Sequence, residues 1–425
     1  MRILYSLAWW LALPLVLLRL WWRGRKEPGY RRHIAERLGL YSNLAGSNRP
    51  VIWIHAVSVG ETRAAEPLVS ALLAACPDHT ILLTHMTATG RTTAIELFGQ
   101  LSPRVTLCFL PYDTGWMMSR FLRHFSPRLC ILMETEIWPN LIAQCNRFHV
   151  PVALVNARMS ERSLARAHYV SGMMSDAARG ITCVAAQTYG DSERLKQYGA
   201  RSVEVTGNIK FDVNPPEPAI LQGISLRTRI GSRPVLLWAS TRDGEEQLLL
   251  DALPLLNTSD VLIIIVPRHP QRFDDVAQMI SLRGLAMCRR SELPGDSAIP
   301  PDVRLLLGDS MGEMFAYCAA ADVVFIGGSL LPLGGQNLIE ACAVGKPVLV
   351  GPHTFNFGAI TANAVAAGAA IRVSDAAELM QQAGSLLLNA SLREEMGRKA
   401  LEFAQQQRGA TDRTMSLLLP LLKDA

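Results

Sequence analysis

Short runs of aliphatic and β-branched residues alternate with amphipathic stretches along this chain after residue 50. Seven runs in the first half predict buried strands, at residues 51–55, 80–85, 105–110, 129–133, 152–156, 181–185 and 203–206. The pattern restarts at Pro234, with runs at residues 235–239, 261–266, 285–288, 304–307, 323–326, 348–350 and 370–373. Continuous apolar strands separated by helices form parallel sheets covered on both faces, so we expect two doubly wound α/β domains.

A segment rich in proline and glycine separates the two sets of strands and predicts a linker. We therefore divide the chain into a first segment at residues 1–30, a Rossmann-like domain at 31–212, a linker at 213–233 and a second Rossmann-like domain at 234–425. The last helices, expected at 390–406 and 411–423, could pack back across the linker. Two such domains place a ligand in the cleft between them, at the carboxyl ends of their strands.

The chain begins with an apolar stretch that predicts a membrane anchor. Residues 3–18 are apolar apart from Ser6, and after Arg19 the run continues to Trp22. A helix over residues 3–22 is about 30 Å long, enough to cross the core of a bilayer. No small-residue cleavage site follows, which argues against a signal peptide. The helix either spans the membrane or lies in its surface, and a core helix fits the tryptophan-rich, basic-flanked pattern least well.

The distribution of charge supports a membrane surface as the partner of the first segment. The 425 residues carry a net charge of +5, yet residues 1–37 alone hold eight Lys or Arg and two acids. The remainder is therefore almost neutral, which disfavours a body that binds nucleic acid. The basic residues that follow the helix should stay on the cytoplasmic side, so we expect the body at the cytoplasmic face of the inner membrane.

Cysteines and missing motifs exclude several classes of protein. The eight cysteines occur singly, without a Cys-x-x-Cys pair, and most lie in apolar runs. We expect reduced thiols in a cytosolic compartment. No Gly-x-Gly-x-x-Gly follows the first strand of either half, and no P-loop motif occurs. Dinucleotide oxidoreductases and P-loop enzymes are therefore disfavoured.

Charged residues follow three strands of the first half. The stretch from His55 to Glu61 leads into a helix predicted at residues 62–75, and Glu61 is either a helix-start charge or a catalytic base. Glu134-Thr-Glu136 follows the fourth strand, as a cleft-facing pair or as an ordinary helix start. The pair lacks an Asp-x-Asp pattern, so we expect no metal. Lys210 ends the last strand and either is solvated or reaches a substrate anion.

Three segments of the second half are candidates for binding an anion. Arg268 and His269 stand between two prolines at the end of the most apolar strand. Residues 309–313 open a helix predicted at 312–320, and they either bind phosphate or cap the helix. A glycine-rich loop leads into a helix that begins with Asn337 and carries Glu340. Its amides can hold phosphate and Glu340 can take ribose hydroxyls, which is compatible with a capping box.

Taken together, these segments resemble the 3-deoxy-D-manno-octulosonic acid (Kdo) transferases of lipopolysaccharide core synthesis, glycosyltransferase family 30. The matching pieces run in order along nearly the whole chain. They are Trp22-Arg-Gly-Arg-Lys26, His55-Ala-Val-Ser-Val-Gly-Glu61, Leu110-Pro-Tyr-Asp113, Met133-Glu-Thr-Glu-Ile-Trp-Pro-Asn140, Asn156-Ala-Arg158, Val266-Pro-Arg-His-Pro270, Met311-Gly-Glu313 and Gly351-Pro-His-Thr-Phe-Asn-Phe357.

The resemblance implies a GT-B fold, no cofactor, no metal, and transfer of Kdo from CMP-Kdo to lipid IVA, the lipid A precursor. It implies that Glu61 is the catalytic base and that Glu134 and Lys210 stabilise the transition state. CMP contacts are implied for Pro267, Arg268, Met311, Gly312, Glu313, Asn337, Leu338, Ile339 and Glu340.

One departure from the family pattern concerns the glycine-rich loop. The family's Gly-Gly-His-Asn-Pro-Leu-Glu reads Gly334-Gly-Gln-Asn-Leu-Ile-Glu340 here, which changes the detail of the expected CMP contact. The expected reaction is an inverting displacement in which Glu61 deprotonates an acceptor hydroxyl. The alternatives are another GT-B nucleotide-sugar transferase or epimerase, and a non-catalytic membrane-anchored protein that binds nucleotide or lipid.

Overall fold

The structure, a computed structural model, describes residues 2–25, 27–41, 49–161, 163–164, 171–212, 215–258, 260–293, 295 and 297–423. Lys26 of the basic cluster and residues 213–214 of the expected linker lie outside the described residues. The chain divides into two compact units. The first comprises Met1–Val213 and Gln407–Ala425, and the second comprises Asn214–Gln406.

The first unit is built on a seven-stranded parallel sheet of order β3-β2-β1-β4-β5-β6-β7. Its strands are β1 (Val51–His55), β2 (Thr80–His85), β3 (Val105–Phe109), β4 (Pro127–Met133), β5 (Val152–Ala157), β6 (Cys183–Ala186) and β7 (Val203–Val205). Alternate side chains enter opposite cores, so Ile52 and Ile54 pack on one face and Val51 and Trp53 on the other.

Helices cover both faces of this sheet, as the apolar strands predict. The α-helices of the first unit are Arg2–Arg23, Ile34–Arg37, Val59–Ala64, Glu66–Ala75, Ala88–Phe98, Gly115–Phe125, Pro139–Arg147, Ser171–Arg179, Tyr189–Tyr198 and Ala410–Lys423.

The helix predicted at residues 62–75 is two helices. Ala65 is the single residue between the two helices, Val59–Ala64 and Glu66–Ala75. Pro67 lies in the first turn of the second helix, and it has no N–H to donate to the carbonyl of Arg63. The short first helix starts earlier than expected, at the residue after Ser58, so Glu61 lies in its first turn.

The second unit repeats the architecture with a sheet of order β10-β11-β9-β8-β12-β13-β14, also parallel. Its strands are β8 (Val235–Thr241), β9 (Leu262–Pro267), β10 (Met287–Arg289), β11 (Leu305–Leu307), β12 (Val323–Ile326), β13 (Val348–Val350) and β14 (Ala370–Arg372). Its α-helices are Glu217–Ile230, Glu245–Ala252, Phe273–Leu282, Met314–Ala320, Ile339–Ala343, Gly358–Ala366, Ala376–Leu388 and Ala390–Gln406. Two doubly wound Rossmann-like units of this kind confirm the expected GT-B class of fold.

The segment expected to be a linker contains a regular helix instead. Glu217–Ile230 belongs to the second unit and packs on helix Met314–Ala320. The prolines that suggested turns stand at the start of the helix, where a missing N–H costs little. Gly223 lies at the helix contact, since a Cβ there would be 2.6 Å from Cβ of Ala319. Met314–Ala320 itself begins two residues later than predicted from sequence.

The first helix, Arg2–Arg23, is long and apolar enough to cross a membrane by length and composition. One face of it contacts the first unit. Asn140 donates a hydrogen bond from Nδ2 to Oγ of Ser6 (2.9 Å), and the ring of Trp9 stacks on that of Tyr112 with centroids 5.5 Å apart.

The opposite face of the same helix is apolar and exposed. Leu20, near the far end, is buried against the first unit with Tyr30, so the contact runs along most of the helix. The exposed apolar side chains are Ile3, Leu4, Leu7, Trp10, Leu11, Leu15, Leu18, Trp21 and Trp22. One side of this helix therefore contacts the first unit, and the opposite side exposes apolar side chains to the surroundings.

The last helix, Ala410–Lys423, returns to the first unit. The carboxylate of Asp212 accepts the backbone N–H groups of Gly409 (2.7 Å) and Thr411 (2.5 Å). Arg413 donates from Nε to the carbonyl of Thr206 at 2.8 Å. These contacts attach the end of the chain beside the segment that carries Lys210.

Candidate active site

Glu61 lies in the first turn of helix Val59–Ala64, shortly after the carboxyl end of β1. Its carboxylate turns back to contact the two residues that precede the helix. Oε2 accepts the N–H of Val57 at 2.6 Å, and Oε1 accepts the hydroxyl of Ser58 at 3.1 Å. Ser58 is the residue before the helix, so the geometry is that of an acidic first-turn residue satisfying the helix start. The structural role that the sequence suggests for Glu61 is therefore present.

The surroundings of Glu61 also favour its protonated form. Burial, followed by the negative charge of Glu136, raises its pKa from 4.5 to about 7, and Glu134 adds to the rise. The hydrogen bonds from Val57 and Ser58 act in the opposite direction but are outweighed. At neutral pH this carboxylate is thus poised to accept a proton, which is the property required of a general base.

Glu134 is a buried carboxylate that two cations hold. Its Oε1 lies 2.7 Å from Nζ of Lys210, and its Oε2 lies 3.2 Å from Nε of Arg158. The side chain of Glu134 is 7% exposed and that of Lys210 is 22% exposed. The structure therefore brings Glu134 and Lys210 together, as their proposed joint role requires, and adds Arg158 to the pair.

Two residues at this edge of the sheet adopt left-handed backbone conformations. Glu134, which directly follows β4, has φ of +55°, and Asn156, the next-to-last residue of β5, has φ of +51°. Glu134 N–H donates to the carbonyl of Val155 (3.0 Å), and Arg158 N–H donates to the carbonyl of Glu134 (3.3 Å). Such conformations in non-glycine residues concentrate at functional sites, where the neighbouring strands impose them.

Neutral amides form a network that positions the turn carrying Lys210. Oδ1 of Asn156 accepts the N–H of Ile209 (3.2 Å), and its carbonyl accepts Nε2 of Gln187 (2.9 Å). Asn208 donates to Oε1 of Gln187 (3.1 Å) and accepts the N–H of Lys210 (3.0 Å). Sequence reasoning missed Gln187 and Asn208 as supports, although Asn156 stands in one of the motifs that resemble the family.

The second acid of the Glu134-Thr-Glu136 segment contacts an aromatic side chain. Trp138 donates its indole N–H to Oε2 of Glu136, and burial raises the pKa of that carboxyl. The Trp138 ring also meets the ring of His55 edge-on, with centroids 5.6 Å apart. His55 is fully buried, which lowers its pKa to about 3, so it is neutral at neutral pH.

In the second unit, Arg268 follows Pro267 at the carboxyl end of β9. Its N–H donates to the carbonyl of Thr241 (2.9 Å), and its Nε donates to Oε1 of Gln336 (3.3 Å). The structure thus joins the Arg268 segment to the glycine-rich loop through Gln336, one of the three loop positions at which this chain differs from the pattern given above. His269 lies at the surface. Partial burial of its ring, followed by the positive charges of Arg242, Arg268 and Arg272, lowers its pKa.

Glu313 is held by three donors near the end of β11. Arg290 donates from Nη2 to Oε1 (3.0 Å), and the hydroxyls of Ser310 and Tyr317 donate to Oε2. Gly312 has φ of +82°, and in the described part of the chain no atom lies within 4 Å of an added Cβ. Met311 is 60% exposed. The segment therefore presents an open backbone to solvent beside a fixed carboxylate.

The residues after the glycine-rich loop form a short helix start. Oδ1 of Asn337 accepts the N–H of Ile339 (3.0 Å), and its Nδ2 donates to Oε1 of Glu340 (3.4 Å). Leu338 and Ile339 are buried, and Glu340 is half-buried. Asn337 and Glu340 contact each other through their side chains, but they do not form the expected capping box: the residue before helix Ile339–Ala343 is Leu338, whose side chain makes no capping hydrogen bond.

A buried acid that the sequence did not single out organises the glycine-rich loop. Oε2 of Glu245 accepts the N–H groups of Gly328 (2.5 Å) and Arg242 (2.9 Å), and Oε1 accepts that of Leu330 (2.9 Å). Glu245 is fully buried at the start of its helix.

Within the described part of the chain, no group of three His, Cys, Asp or Glu side chains is arranged to hold a metal ion.

Comparison with known proteins identifies relatives along the entire length. Residues 32–213 match the family model described as 3-deoxy-D-manno-octulosonic-acid transferase (kdotransferase). A 3-deoxy-D-manno-octulosonic acid transferase of Bordetella pertussis is 44% identical, over 98% of this chain and 98% of the relative. One from Haemophilus influenzae is 36% identical, over 99% of each chain.

Solved structures with low identity share the fold. A glycosyltransferase from Rickettsia africae ESF-5 covers 89% of this chain and 100% of its own, with a TM-score of 0.61 at 12% identity. A UDP-GlcNAc 2-epimerase from Neisseria meningitidis, bound to UDP-GlcNAc, covers 87% of this chain and 100% of its own, with a TM-score of 0.59 at 14% identity.

Proposed function

The chain belongs to the Kdo transferase family of lipopolysaccharide biosynthesis, and from that premise we propose that it transfers Kdo from CMP-Kdo to lipid IVA with inversion at the anomeric carbon. The observation that carries the proposal is the buried carboxylate of Glu61, whose pKa burial and Glu136 raise to about 7. Such a carboxyl group is matched to accept a proton near neutral pH.

In the proposed reaction, Glu61 takes the proton from an acceptor hydroxyl. The hydroxyl oxygen forms a bond to the anomeric carbon of Kdo, while the bond from that carbon to the phosphate oxygen breaks. CMP leaves with the bonding electrons. The contacts of Glu61 with Val57 and Ser58 support this role, because they fix the direction of the carboxylate before the acceptor arrives.

Glu134 and Lys210 are proposed to stabilise the transition state. Positive charge develops on the sugar ring as the leaving group departs, and a fixed carboxylate lowers the energy of that charge. Lys210 and Arg158 support the role because they compensate the buried charge of Glu134 and hold both of its oxygens.

The second unit is proposed to bind the CMP portion of the donor. Arg268 is the candidate contact for the phosphate, next to Pro267. The open backbone of Met311 and Gly312 with the fixed carboxylate of Glu313, and the stretch from Asn337 to Glu340, are the other proposed contacts. Glu340 is suited to accept ribose hydroxyls.

The enzyme is proposed to act at the cytoplasmic face of the inner membrane, with its first helix lying in the membrane surface. Support comes from the contacts of this helix with the first unit from Ser6 to Leu20. These positions span about 21 Å along a helix axis. A transmembrane orientation would draw Asn140 and Tyr30 into the hydrocarbon, whereas a surface orientation leaves the contacts intact.

Mass spectrometry of lipid IVA after incubation with CMP-Kdo and the purified enzyme tests the proposal. We expect one or more Kdo-sized mass additions, and Glu61→Ala should lower the rate about 10²–10⁴-fold without loss of folding. UDP-sugars should neither serve as donors nor compete with CMP-Kdo. Near wild-type transfer by folded Glu61→Ala would exclude Glu61 as the base, and absence of transfer by the wild type would exclude the donor and acceptor pair.

A further inference from the structure

Three strand ends of the second unit meet where the order of its sheet reverses. Because β8 lies between β9 and β12, the carboxyl ends of these strands form the switch point at which doubly wound sheets bind ligands. Arg268 follows β9, Gly327 and Gly328 follow β12, and Arg242 follows β8. Neither the sequence motifs nor the family resemblance single out Arg242.

The backbone around Arg242 is shaped by an irregularity in β8. The register between β8 and β9 shifts between Ala239 and Thr241, and Ser240 between them has φ of +57°. Irregularities of this kind redirect side chains and recur beside active sites. Arg242 then donates its N–H to the same oxygen of Glu245 that accepts the N–H of Gly328.

The side chains of Arg242 and Gln336 both lie close to Gly328. A Cβ at Gly328 would be 3.4 Å from Cγ of Arg242 and 3.1 Å from Nε2 of Gln336, so glycine permits this close approach. Gln336 in turn accepts a hydrogen bond from Nε of Arg268 through Oε1, and the N–H of Arg268 donates to the carbonyl of Thr241, the residue before Arg242. Arg242 and Arg268 are therefore neighbours at the same strand ends.

The acids near Arg242 are occupied by other donors. Glu245 accepts three backbone N–H groups, while Asp243 and Glu246 both pair with Arg272. Across the described residues, the guanidinium of the half-buried Arg242 makes no ion pair or hydrogen bond. A partly buried guanidinium without a charged partner, at an edge of the sheet where ligands bind, is suited to attract an anion.

We propose that Arg242 binds the phosphate of the CMP moiety together with Arg268. The proposal rests on the proposed CMP-Kdo donor and deepens it, because it names a second arginine for the one phosphate. The phosphate of CMP-Kdo is a diester with one negative charge, and it gains a second charge as CMP leaves. Two guanidinium groups would compensate both charges without a metal ion.

Calorimetric titration with CMP and with cytidine tests the proposal. Arg242→Gln should weaken CMP binding about tenfold to a hundredfold, the range of a charge-assisted hydrogen bond, and leave cytidine binding unchanged. Arg242→Lys should recover part of the loss. Arg283→Gln is the matched control, since Arg283 pairs with Asp251 (2.6 Å) on the surface of the same unit and should bind CMP like the wild type.

Each other result has its own meaning. Equal CMP affinity of the wild type and folded Arg242→Gln would overturn the role of Arg242 while leaving the donor proposal standing. An unchanged CMP affinity with a raised KM for CMP-Kdo would move Arg242 to the sugar carboxylate and likewise overturn phosphate binding. A wild-type protein that binds no CMP would overturn the donor proposal itself, and this one with it.

Discussion

At the scale of single residues, Glu61 combines contacts at a helix start with a pKa that suits the base role we propose for it. Hydrogen bonds from Val57 and Ser58 stabilise its charged form and complete the helix start. Burial and Glu136 oppose ionisation more strongly, so the pKa settles at about 7. A helix-start acid becomes suited to base chemistry when the surrounding acids and the lack of water outweigh its own hydrogen bonds.

The pH dependence of transfer should follow the ionisation of Glu61. The base acts only when deprotonated, so kcat/KM should rise with pH through about pH 7. Glu136→Gln removes a negative neighbour, which lowers the pKa of Glu61 and moves the rise to lower pH. The glutamine oxygen can still accept the indole N–H of Trp138, so the loop should keep its shape.

Glu193→Gln is the matched control for the pH profile. Glu193 is an exposed acid of the first unit that pairs with Lys196, so its loss should leave the profile in place. Rates are measured from pH 5 to pH 9. Limiting donor gives kcat/KM, which reports ionisations in the free enzyme, and saturating donor gives kcat, which reports ionisations in the enzyme–donor complex. An unshifted profile in Glu136→Gln would contradict the assigned coupling.

Glu61 should also make stability depend on pH. Its pKa in the folded state, about 7, exceeds the ordinary value of 4.5, so the folded protein binds this proton more tightly than the unfolded chain. Stability contributed by this proton is therefore lost as pH rises between those values. The glutamine of Glu61→Gln does not ionise, so this variant does not lose stability in that way as pH rises. The difference between its Tm and that of the wild type should therefore be more favourable to the variant at pH 8 than at pH 5. The same Tm difference at both pH values would argue against the raised pKa.

The sequence makes the charged residues of the site predictable but not their supports. Glu61, Glu134 and Lys210 follow strands of one parallel sheet, and strand ends of such a sheet share an edge. Gln187 has no such signal, because a neutral amide in a loop is ordinary until its partners are known. The sequence gives no signal for Glu245 either, since its partners are backbone N–H groups and two of them, Gly328 and Leu330, lie far along the chain.

At the scale of elements, hydrophobic periodicity predicted the fourteen strands seen in the described residues, whereas the prolines of residues 213–233 predicted turns where a helix lies. Prolines mark turns, but they also fit the first turn of a helix, and helix Glu217–Ile230 uses them in that way. Only the packing partner, helix Met314–Ala320, distinguishes the two cases. Local composition cannot report a contact with residues about a hundred positions away.

Gly223→Ala should destabilise the second unit, although alanine is the better helix former. An added Cβ would lie 2.6 Å from Cβ of Ala319 and 2.7 Å from the carbonyl oxygen of Ala316. Separating the helices should cost about 1–3 kcal/mol, more than the roughly 0.5–1 kcal/mol that alanine gains in a helix. Urea unfolding followed by circular dichroism measures the difference.

Gly172→Ala provides the matched control for helix propensity. Gly172 lies in helix Ser171–Arg179, and no atom of the described residues lies within 4 Å of an added Cβ. Its substitution should leave stability unchanged or raise it slightly. If Gly223→Ala were as stable as Gly172→Ala, the two helices could not be packed as closely as these distances require.

At the scale of the whole molecule, charge and apolar surface are both concentrated at the start of the chain. The basic excess of residues 1–37 adjoins the exposed apolar face of helix Arg2–Arg23. An anionic bilayer attracts the basic residues electrostatically and buries the apolar face of the helix, so a membrane surface accounts for both features. The composition of the helix alone is equally compatible with crossing the membrane, and its contacts with Asn140 and Tyr112 are what favour the surface orientation.

Labelling of an introduced cysteine in spheroplasts distinguishes the two orientations. A helix that crosses the membrane with its following basic residues in the cytoplasm carries position 3 to the periplasmic side. Ile3→Cys would then react with a membrane-impermeant maleimide in intact spheroplasts. A helix in the cytoplasmic surface leaves that thiol unreactive until the membrane is lysed, which is the outcome we expect. Leu282→Cys, exposed on the second unit, is the control and should react only after lysis in either case.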